Sequence, residues 1–325
     1  MRALVSGAGG FLGRYVVDQL LQRGHSVRAI LRPASLQPAW NGNVEIFRAD
    51  LRVHEDLASV FDGIDVVFHL AAATSGGEDA QFASSVIATE RFLGAMAGSP
   101  VKRLLHVSSL VVYDWAQAKG VMDENTPLLS NIYTMGAYTI AKVWQERVVS
   151  RFAKSNSWDV TIMRPGFIWG PRRTEIAGMG RRIGRINLMF GPCVRLPLSH
   201  VANCADSLVT AAENQAAIGE CFNVVDGDDI RVWRYVHEYA RRSGKGGFAL
   251  PVPYRVGLGI AYLASITSRA LFGKKGRLPS LLTPRRFESQ FKPIRFSSQK
   301  LRKTLSWSPP LSFEECLNVT YKQAK

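Results

Sequence analysis

Two side chains with complementary acid–base chemistry stand four residues apart in the segment Tyr138-Thr-Ile-Ala-Lys142. Residues at this spacing share one face of a helix, so the phenol and the ammonium would lie side by side. A phenol, with an ordinary pKa of about 10, exchanges protons poorly at neutral pH unless a neighbouring positive charge stabilises its phenolate. The pair therefore predicts general acid–base catalysis by Tyr138, with Lys142 lowering its pKa.

A hydroxyl that could hold a substrate oxygen beside this pair is available in Val107-Ser108-Ser109. These residues end the fifth predicted strand, and open α/β sheets contact their ligands at the carboxyl ends of strands. Together with the tyrosine and the lysine, a hydroxyl at this place indicates chemistry on a carbonyl or an alcohol.

The segment Gly7-Ala-Gly-Gly-Phe-Leu-Gly13 directly follows the first predicted strand and opens the first predicted helix. Glycines here let backbone N–H groups and the positive end of the helix approach a pyrophosphate without obstruction by side chains. The segment predicts a dinucleotide site, and a tight turn without a ligand is the structural alternative. The contacts expected from it are Gly7, Gly10, Phe11, Leu12 and Gly13.

The end of the second predicted strand indicates which dinucleotide is bound, because a carboxylate there favours the ribose of NAD(H) and a cation favours the 2′-phosphate of NADP(H). This strand runs Val27-Arg-Ala-Ile-Leu-Arg32 and contains no carboxylate. Arg32 predicts NADP(H), with NAD(H) as the alternative if Arg32 is only a solvated cation. Asp50 and Leu51 are expected to meet the adenine edge, and a helix N-cap is the structural alternative for Asp50.

Strands and helices alternate through the first half of the chain. Such alternation predicts parallel strands with right-handed crossovers, which is an α/β fold with a doubly wound Rossmann sheet. Beyond residue 164 the pattern becomes irregular, and we expect a smaller C-terminal substrate-binding part there. The predicted strands are 3–6, 26–31, 44–47, 65–70, 103–107 and 221–225, and the predicted helices are 11–22, 53–61, 84–97, 201–213 and 233–243.

The predicted division assigns residues 1–164 and 196–226 to the dinucleotide-binding domain and residues 165–195 and 227–325 to the substrate-binding part. Four cysteines without zinc-like spacing fit a reducing compartment and predict no metal site. His69 and His106 lie within predicted strands, so we expect them in the core.

The chain of 325 residues carries a formal net charge of +15, which suggests an anionic partner. Much of the excess lies between Arg269 and Lys303. No nucleic-acid-binding motif accompanies it, so we expect no nucleic-acid partner. An anionic membrane surface, a phosphorylated ligand and an ordinary solvated basic face remain open.

No targeting segment precedes the first predicted strand, which favours a cytoplasmic location. The uncharged stretch 256–268 is shorter than the roughly 20 residues needed to span a bilayer. A buried helix is the ordinary interpretation of this stretch. However, the run GKKGR at 273–277 follows it, and an apolar helix edged by cations can also rest on an anionic interface, which would make the protein peripheral at the membrane.

Five segments carry a family resemblance: GAGGFLG at 7–13, DVVFHLAAA at 65–73, SSLVVY at 108–113, YTIAK at 138–142 and MRPGFIWGPR at 163–172. They resemble the extended short-chain dehydrogenase/reductase superfamily, also called the NAD-dependent epimerase/dehydratase family. The resemblance implies catalytic roles for Ser109, Tyr138 and Lys142, with Lys142 also binding the nicotinamide ribose and Ser108 structural. It further implies cofactor contacts from Leu70, Ala71, Ala72, Tyr138, Lys142 and Pro165.

Within this superfamily the segment Arg164-Pro-Gly-Phe167 is informative, because sugar-nucleotide enzymes commonly have Asn where this chain has Phe167. An aromatic ring offers area to an apolar substrate but not the hydrogen bonds of an amide. The chain is most similar to the 3β-hydroxysteroid dehydrogenase and dihydroflavonol reductase branch. The substrate contacts implied are Ser109, Gly166, Phe167 and Arg172.

The resemblance implies hydride transfer between a nicotinamide and a secondary alcohol or ketone of a lipophilic, steroid- or terpenoid-like substrate. A nucleotide-sugar 4-epimerase or related sugar-modifying enzyme is the first alternative, and a non-catalytic NADP-sensing scaffold is the second. In relatives the helices corresponding to 84–97 and 138–152 pack across a dimer axis, so a homodimer is expected.

Overall fold

The computed structural model describes residues 1–40, 42–53, 56–227, 229–244, 247–272, 278–279 and 282–322. Its strands are β1 (Arg2–Ser6), β2 (Ser26–Leu31), β3 (Val44–Arg48), β4 (Val66–His69), β5 (Arg103–Val107), β6 (Val121–Met122), β7 (Asp159–Pro165), β8 (Phe167–Trp169), β9 (Arg181–Ile183), β10 (Ile186–Phe190), β11 (Leu198–His200), β12 (Cys221–Val224), β13 (Phe248–Val252) and β14 (Arg295–Phe296). Its α-helices are α1 (Phe11–Gln22), α2 (Glu78–Phe82), α3 (Ala88–Ala97), α4 (Ala137–Asn156), α5 (Val201–Glu213), α6 (Val232–Ser243), α7 (Tyr254–Phe272), α8 (Pro284–Phe291), α9 (Gln299–Leu305) and α10 (Phe313–Lys322).

The central sheet has seven parallel strands in the order β12-β7-β5-β4-β1-β2-β3. The strand order reverses between β1 and β4, which is where the crevice of a doubly wound sheet opens. Val5 pairs with Phe68 across this junction, so the carboxyl ends of the two strands lie together. The predicted α/β class with a Rossmann sheet is confirmed.

Buried cores cover both faces of this sheet. On one face Val16 of α1 and Leu208 of α5 pack against strand residues, and on the other face Phe92 of α3 and Val149 of α4 do so. All four side chains are fully buried, and burying a side chain of this kind stabilises a fold by about 1.5–3 kcal/mol. The helices therefore hold the carboxyl ends of the strands in fixed positions.

Helix α1 has the bounds that the sequence predicts. Leu12, Val16 and Leu20 form its buried stripe at helical spacing. Gly24, two residues beyond the end of the helix, has a φ of 78°, and the N–H of His25 donates to the carbonyl oxygen of Leu20 at 3.0 Å. This left-handed glycine cap stops the helix and returns the chain into β2.

Two predicted helices differ from the structure. The prediction of a helix over 53–61 is wrong, since the described residues of this range, 53 and 56–61, form only a 3₁₀ turn, Ala58–Phe61. The carboxylate of Asp50 accepts the N–H of Arg52 at 3.0 Å and that of Asp56 accepts the N–H of Ala58 at 3.0 Å, so local turns replace helical hydrogen bonds. The predicted helix 84–97 is divided into the π-helical turn Ala83–Ile87 and α3.

The C-terminal part is less regular than the sheet. Helices α6 and α10 pack around the buried Trp169, while α7 and α8 pack with Phe190 of β10. The predicted division at 164, 196 and 226 stays a prediction. Within the predicted substrate-binding part, Leu301, Leu305 and Trp307 pack into the same core as α1 and α5.

The uncharged stretch 256–268 lies inside α7, and the interpretation of a fully buried helix is wrong. Within it only Gly257 and Ala261 are buried, whereas Ile260 is 49% and Leu263 65% exposed. No helix in the described ranges is long and apolar enough to cross a membrane. The cationic run 273–277 lies outside the described residues.

Candidate active site

A cleft with a volume of about 350 Å³ opens at the carboxyl ends of β1 and β4, where the strand order reverses. Gly7 has a φ of 76°, and a Cβ there would lie 2.9 Å from the backbone nitrogen of Ala71. A Cβ on Gly13 would lie 2.1 Å from the carbonyl oxygen of Gly7. Both glycines are therefore required for the turn to fold closely between β4 and α1.

The N-terminus of α1 faces this cleft without a side chain that caps it. Gly10 is the N-cap residue, with an extended backbone and no side-chain hydrogen bond to the first turn. The free N–H groups and the positive end of the helix dipole form an anion site. The glycine turn thus fits the pyrophosphate of a dinucleotide.

The cleft brings together the residues that the sequence predicts for the cofactor, apart from Pro165. Their contacts with a cofactor stay a prediction, because the cleft shows only that they face one space. Those that line it are Gly7, Gly10, Phe11, Leu12, Gly13, Arg32, Asp50, Leu51, Leu70, Ala71, Ala72, Tyr138 and Lys142.

Arg28, within β2, and Arg32, just after the strand ends, occupy different environments. Arg32 lines the cleft. Arg28 is buried, and it pairs with Glu45 at 2.8 Å and donates to the carbonyl oxygen of Val60 at 2.7 Å. Arg28 therefore stabilises the edge of the sheet, and Arg32 is the one of the two that faces the cleft.

The turn that carries Arg32 is held by an arginine from the neighbouring strand. The Nη1 atom of Arg48 lies 3.4, 3.2 and 2.6 Å from the carbonyl oxygens of Arg32, Pro33 and Ser35. The N–H of Ser35 also donates to the carbonyl oxygen of Arg32 at 2.9 Å. These bonds fix the backbone from which Arg32 and Ser35 reach the cleft.

Asp50 is held by a second cation, Arg52, which also lines the cleft. Two guanidinium contacts join them, Nε to Oδ1 at 3.0 Å and Nη2 to Oδ2 at 2.6 Å. Hydrogen bonding to Arg52 lowers the pKa of Asp50 to about 2. Sequence reasoning missed Arg52, and the spacing of two residues from Asp50 is the signal that could have found it.

Tyr138 lines the cleft, whereas Ser109 does not, but the Ser109 hydroxyl is close enough to the Tyr138 phenol to influence its pKa. Ser109 extends from the end of β5 and its Oγ lies 3.5 Å from the carbonyl oxygen of Pro165. Burial raises the pKa of Tyr138, while the hydrogen bond from Ser109 and the charge of Arg173 lower it. The arrangement places two hydroxyls where one substrate oxygen could contact both.

Lys142 lies one helical turn beyond Tyr138 and is buried. Its Nζ donates to the carbonyl oxygen of Val107 at 2.8 Å and to Oε1 of Gln145 at 2.7 Å. Burial lowers the pKa of Lys142 to about 7. That Lys142 lowers the pKa of Tyr138 stays a prediction.

Gln145 connects Lys142 to the end of β4, and sequence reasoning missed it. Its Nε2 donates to the carbonyl oxygen of Ala71 at 2.9 Å and to Oγ1 of Thr89 at 2.8 Å. Thr89 also lies 2.7 Å from Nε2 of His69. The signal for Gln145 was its place one turn after Lys142, on the face of α4 that holds the predicted catalytic pair.

His69 and His106 are buried in the sheet, as predicted, with stacked rings 5.6 Å apart. Burial lowers the pKa of His69 to about 3 and that of His106 well below its usual range. Both therefore remain neutral at physiological pH. No group of three potential metal ligands is found among the described residues.

A buried ion pair anchors the far side of α4. Arg164 of β7 binds Glu146 through two bonds of 2.8 Å and donates to the hydroxyl of Tyr113 at 2.9 Å. That hydroxyl lies 2.8 Å from Oδ1 of Asn223. Such a bidentate pair has fixed geometry, so it sets the position of α4, which carries Tyr138, against β7.

The predicted substrate residues Gly166, Phe167 and Arg172, like Ser109, lie outside the cleft lining. A Cβ on Gly166 would lie 2.0 Å from the carbonyl oxygen of Pro197, so Gly166 allows a close backbone approach. Phe167 is half-buried, and Arg172 is exposed with a φ of 65°.

Two neighbours of these residues do line the cleft, and neither was among the predicted site residues. They are Ser108, which was predicted to be structural, and Arg173, whose guanidinium lies 5.5 Å from the ring of Phe11. No sequence signal separated Arg173 from Arg172.

Residues 3–242 match the model of the NAD dependent epimerase/dehydratase family. The chain therefore belongs to this family, the extended short-chain dehydrogenases/reductases, and the predicted membership is confirmed.

Its relatives include oxidoreductases of lipophilic compounds. A farnesyl-dihydroquinoline-oxide ketoreductase of Stigmatella aurantiaca is 29% identical over 86% of this chain and 84% of its own. A 3 beta-hydroxysteroid dehydrogenase/Delta 5-->4-isomerase of Mycobacterium tuberculosis is 27% identical over 97% and 88%. The mouse sterol-4-alpha-carboxylate 3-dehydrogenase is 25% identical over 98% and 90%.

Among solved structures, the fold is similar to that of the UDP-glucuronic acid 4-epimerase from Bacillus cereus in complex with NAD. The TM-score is 0.72 at 20% identity, with 99% of this chain and 96% of the other covered. The UDP-glucose 4-epimerase from Thermus thermophilus gives a TM-score of 0.71 at 21% identity, covering 99% and 98%. At these identities the likeness concerns the fold alone.

Proposed function

We propose that this protein is an NAD(P)-dependent oxidoreductase that interconverts a secondary alcohol and a ketone on a lipophilic substrate. The observation that carries the proposal is the cleft itself, in which the glycine turn, Tyr138 and Lys142 face one space, with Ser109 beside Tyr138. This cleft begins at the uncapped N-terminus of α1, so a dinucleotide and a substrate oxygen would meet there.

The chain's own residues would bind and orient the reactants. The glycine turn and the start of α1 would hold the pyrophosphate, and Lys142 would hold the nicotinamide ribose. A bound nicotinamide supplies or accepts the hydride. Tyr138 gives a proton to the substrate oxygen in reduction and takes it in oxidation, while Ser109 keeps that oxygen in place by a hydrogen bond.

Two observations support a lipophilic substrate. Phe167 offers an aromatic surface at the position where sugar-nucleotide enzymes commonly have Asn. The three relatives act, by their names, on a farnesylated quinoline oxide, a steroid and a sterol carboxylate.

NADP(H) is the proposed cofactor. Arg32 and Arg52 both line the adenosine end of the cleft, and a guanidinium matches a 2′-phosphate. The carboxylate beside them, Asp50, already accepts a hydrogen bond from Arg52, so it is less available to bind a ribose hydroxyl.

The nucleotide released from freshly purified, denatured protein tests this proposal against the epimerase alternative. We expect the protein to release little nucleotide, to bind NADPH more tightly than NADH, and to oxidise NADPH in the presence of steroid-like or terpenoid-like ketones. Stoichiometric NAD that survives purification would instead indicate an enzyme that regenerates its cofactor in place. Such a result, with turnover of a UDP-sugar, would overturn the proposed reaction.

A homodimer is also proposed. Three large apolar side chains on the surface of α2, the π-helical turn and α4 support it: Phe82 is 36%, Ile87 39% and Trp144 37% exposed. Replacing Ile87 and Trp144 by Glu should convert a dimer to a monomer in sedimentation velocity. A wild-type protein that sediments as a monomer would refute the proposal.

A further inference from the structure

Helix α7 presents an apolar face that no described element covers. Its inner side packs through Gly257 and Ala261 against α8. On its outer side Val256 is 52%, Leu263 65% and Ile266 64% exposed. At 100° per residue, these three fall within one arc of the helix opposite Gly257 and Ala261.

A second exposed apolar area adjoins the start of α7. Strands β9, β10 and β13 form a three-stranded sheet, in which Ile186 pairs with Ile183 on one side and with Phe248 on the other. These side chains are 43%, 60% and 70% exposed, respectively. Since β13 ends two residues before α7 begins, the sheet lies next to the start of the helix. We call the two exposed apolar areas together the apolar face.

The apolar face is edged by cations and contains no acid. Its two segments, 176–190 and 248–272, hold five arginines and no Asp or Glu. Arg181, Arg182 and Arg185 are exposed on or beside the β9–β10 turn, and Arg255 and Arg269 are exposed along one border of the α7 arc. No ion pair joins any of the five to another described residue, so their charge is available to an external anion.

We propose that the apolar face docks on the surface of an anionic lipid bilayer, with α7 lying in the plane of the interface. Exposed apolar side chains bordered by uncompensated arginines are complementary to acyl chains below a layer of negative headgroups. A second copy of the chain fits this face poorly, because a two-fold contact would bring the same arginines together. Nucleic acid fits it poorly because the centre of the face is apolar.

Co-sedimentation with vesicles tests this proposal on the full-length protein. One set of vesicles contains phosphatidylcholine alone, and the other contains phosphatidylcholine and phosphatidylserine in a three-to-one ratio. We expect binding to the anionic vesicles only, weakening as the salt concentration rises.

Two variants test the electrostatic and the apolar contributions to vesicle binding separately. Arg181→Ala/Arg182→Ala/Arg185→Ala should weaken vesicle binding about a hundredfold, at about 1 kcal/mol for each cation near an anionic surface. Leu263→Ser/Ile266→Ser should weaken it tenfold or more, because less apolar surface enters the interface.

Matched controls lie on other surfaces. Lys102→Ala/Lys119→Ala/Lys154→Ala removes three exposed cations, and Leu36→Ser/Leu128→Ser removes two apolar side chains that are 89% and 50% exposed. Both controls should bind vesicles within about threefold of the wild type. All these positions are exposed, so the substitutions should not unfold the protein. The thermal melting temperature of each variant checks this.

Three results would overturn the proposal. They are equal binding to both vesicle types, equal losses in the test variants and their controls, and failure of the wild type to bind. If the wild type does not bind vesicles and Leu263→Ser/Ile266→Ser changes the oligomeric state, the apolar face is instead a contact between copies of the chain. None of these outcomes depends on the proposed reaction, which is measured separately.

Discussion

The buried ammonium of Lys142 and the amide oxygen of Gln145 lie 2.7 Å apart within one turn of α4. Through Gln145, the lysine is linked to the carbonyl oxygen of Ala71 at the end of β4. Gln145 thereby fixes the position of the Lys142 ammonium, which we propose binds the nicotinamide ribose.

Opposite substitutions of Gln145 should move the pKa of Lys142 in opposite directions. Gln145→Leu removes an acceptor from the ammonium, which lowers this pKa further below about 7, and Gln145→Glu adds a negative charge, which raises it. The charged form is lost as pH rises through the pKa. Activity that needs the ammonium should therefore decline at lower pH in the Leu variant and at higher pH in the Glu variant.

The pH dependence of kcat/KM for NADPH measures this effect, and urea unfolding at each pH corrects for altered stability. A merely structural Gln145 would give two variants with reduced stability and unshifted pH profiles.

Tyr138→Phe should reduce turnover by about 10²–10⁴-fold, which is the usual contribution of general acid–base catalysis. Binding of NADPH, followed by its fluorescence, should stay within a few fold of the wild type. Tyr133→Phe is the control, because this tyrosine is 85% exposed. Substantial turnover by the Tyr138 variant would rule out its acid–base role.

Arg32→Asp should weaken NADPH binding by roughly ten- to a hundredfold, as expected when a charge-assisted hydrogen bond worth about 1.5–3 kcal/mol is lost. NADH binding should change much less. Isothermal titration with both nucleotides measures the ratio, and Arg147→Asp, on the exposed side of α4, is the control. Equal weakening of NADPH and NADH would remove the basis for NADP(H) as the cofactor.

Gly13→Ala should lower stability by several kcal/mol and abolish dinucleotide binding, because the new methyl group would lie 2.1 Å from the backbone oxygen of Gly7. Gly94→Ala, in α3, meets no atom within 4 Å and should raise stability by about 0.5–1 kcal/mol through helix propensity. Urea unfolding compares the two. A Gly13→Ala protein of wild-type stability would contradict the close packing described for the turn.

The sheet and the cofactor cleft were predictable because their signals are local. The glycine turn, the helical stripe of Leu12, Val16 and Leu20 and the pair Tyr138–Lys142 each lie within a dozen residues or fewer. Regular alternation then fixes the order of parallel strands, since few topologies satisfy short right-handed crossovers.

The parts that sequence reasoning missed depend on contacts between distant residues. Arg48 acts on the turn after β2, and Gln145 acts on the end of β4. The place of Gln145 one turn after Lys142 marks the residue itself, but neither distant partner can be identified from the sequence. The prediction of a helix over 53–61 was wrong for a different reason. The carboxylates of Asp50 and Asp56 accept nearby backbone N–H groups, and these local turns compete with helical hydrogen bonds.

Leu301, Leu305 and Trp307 belong to the same core as α1 and α5, although nearly the whole chain separates them from α1. Trp307 is fixed there by the hydrogen bond that its Nε1 donates to Asp206 of α5 at 2.8 Å. During synthesis on a ribosome, this core stays incomplete until residue 307 has emerged, and such late, non-local contacts slow folding and expose apolar surface to chaperones. The glycine turn is among the first segments synthesised, yet the core that supports it is completed only when nearly the whole chain has emerged.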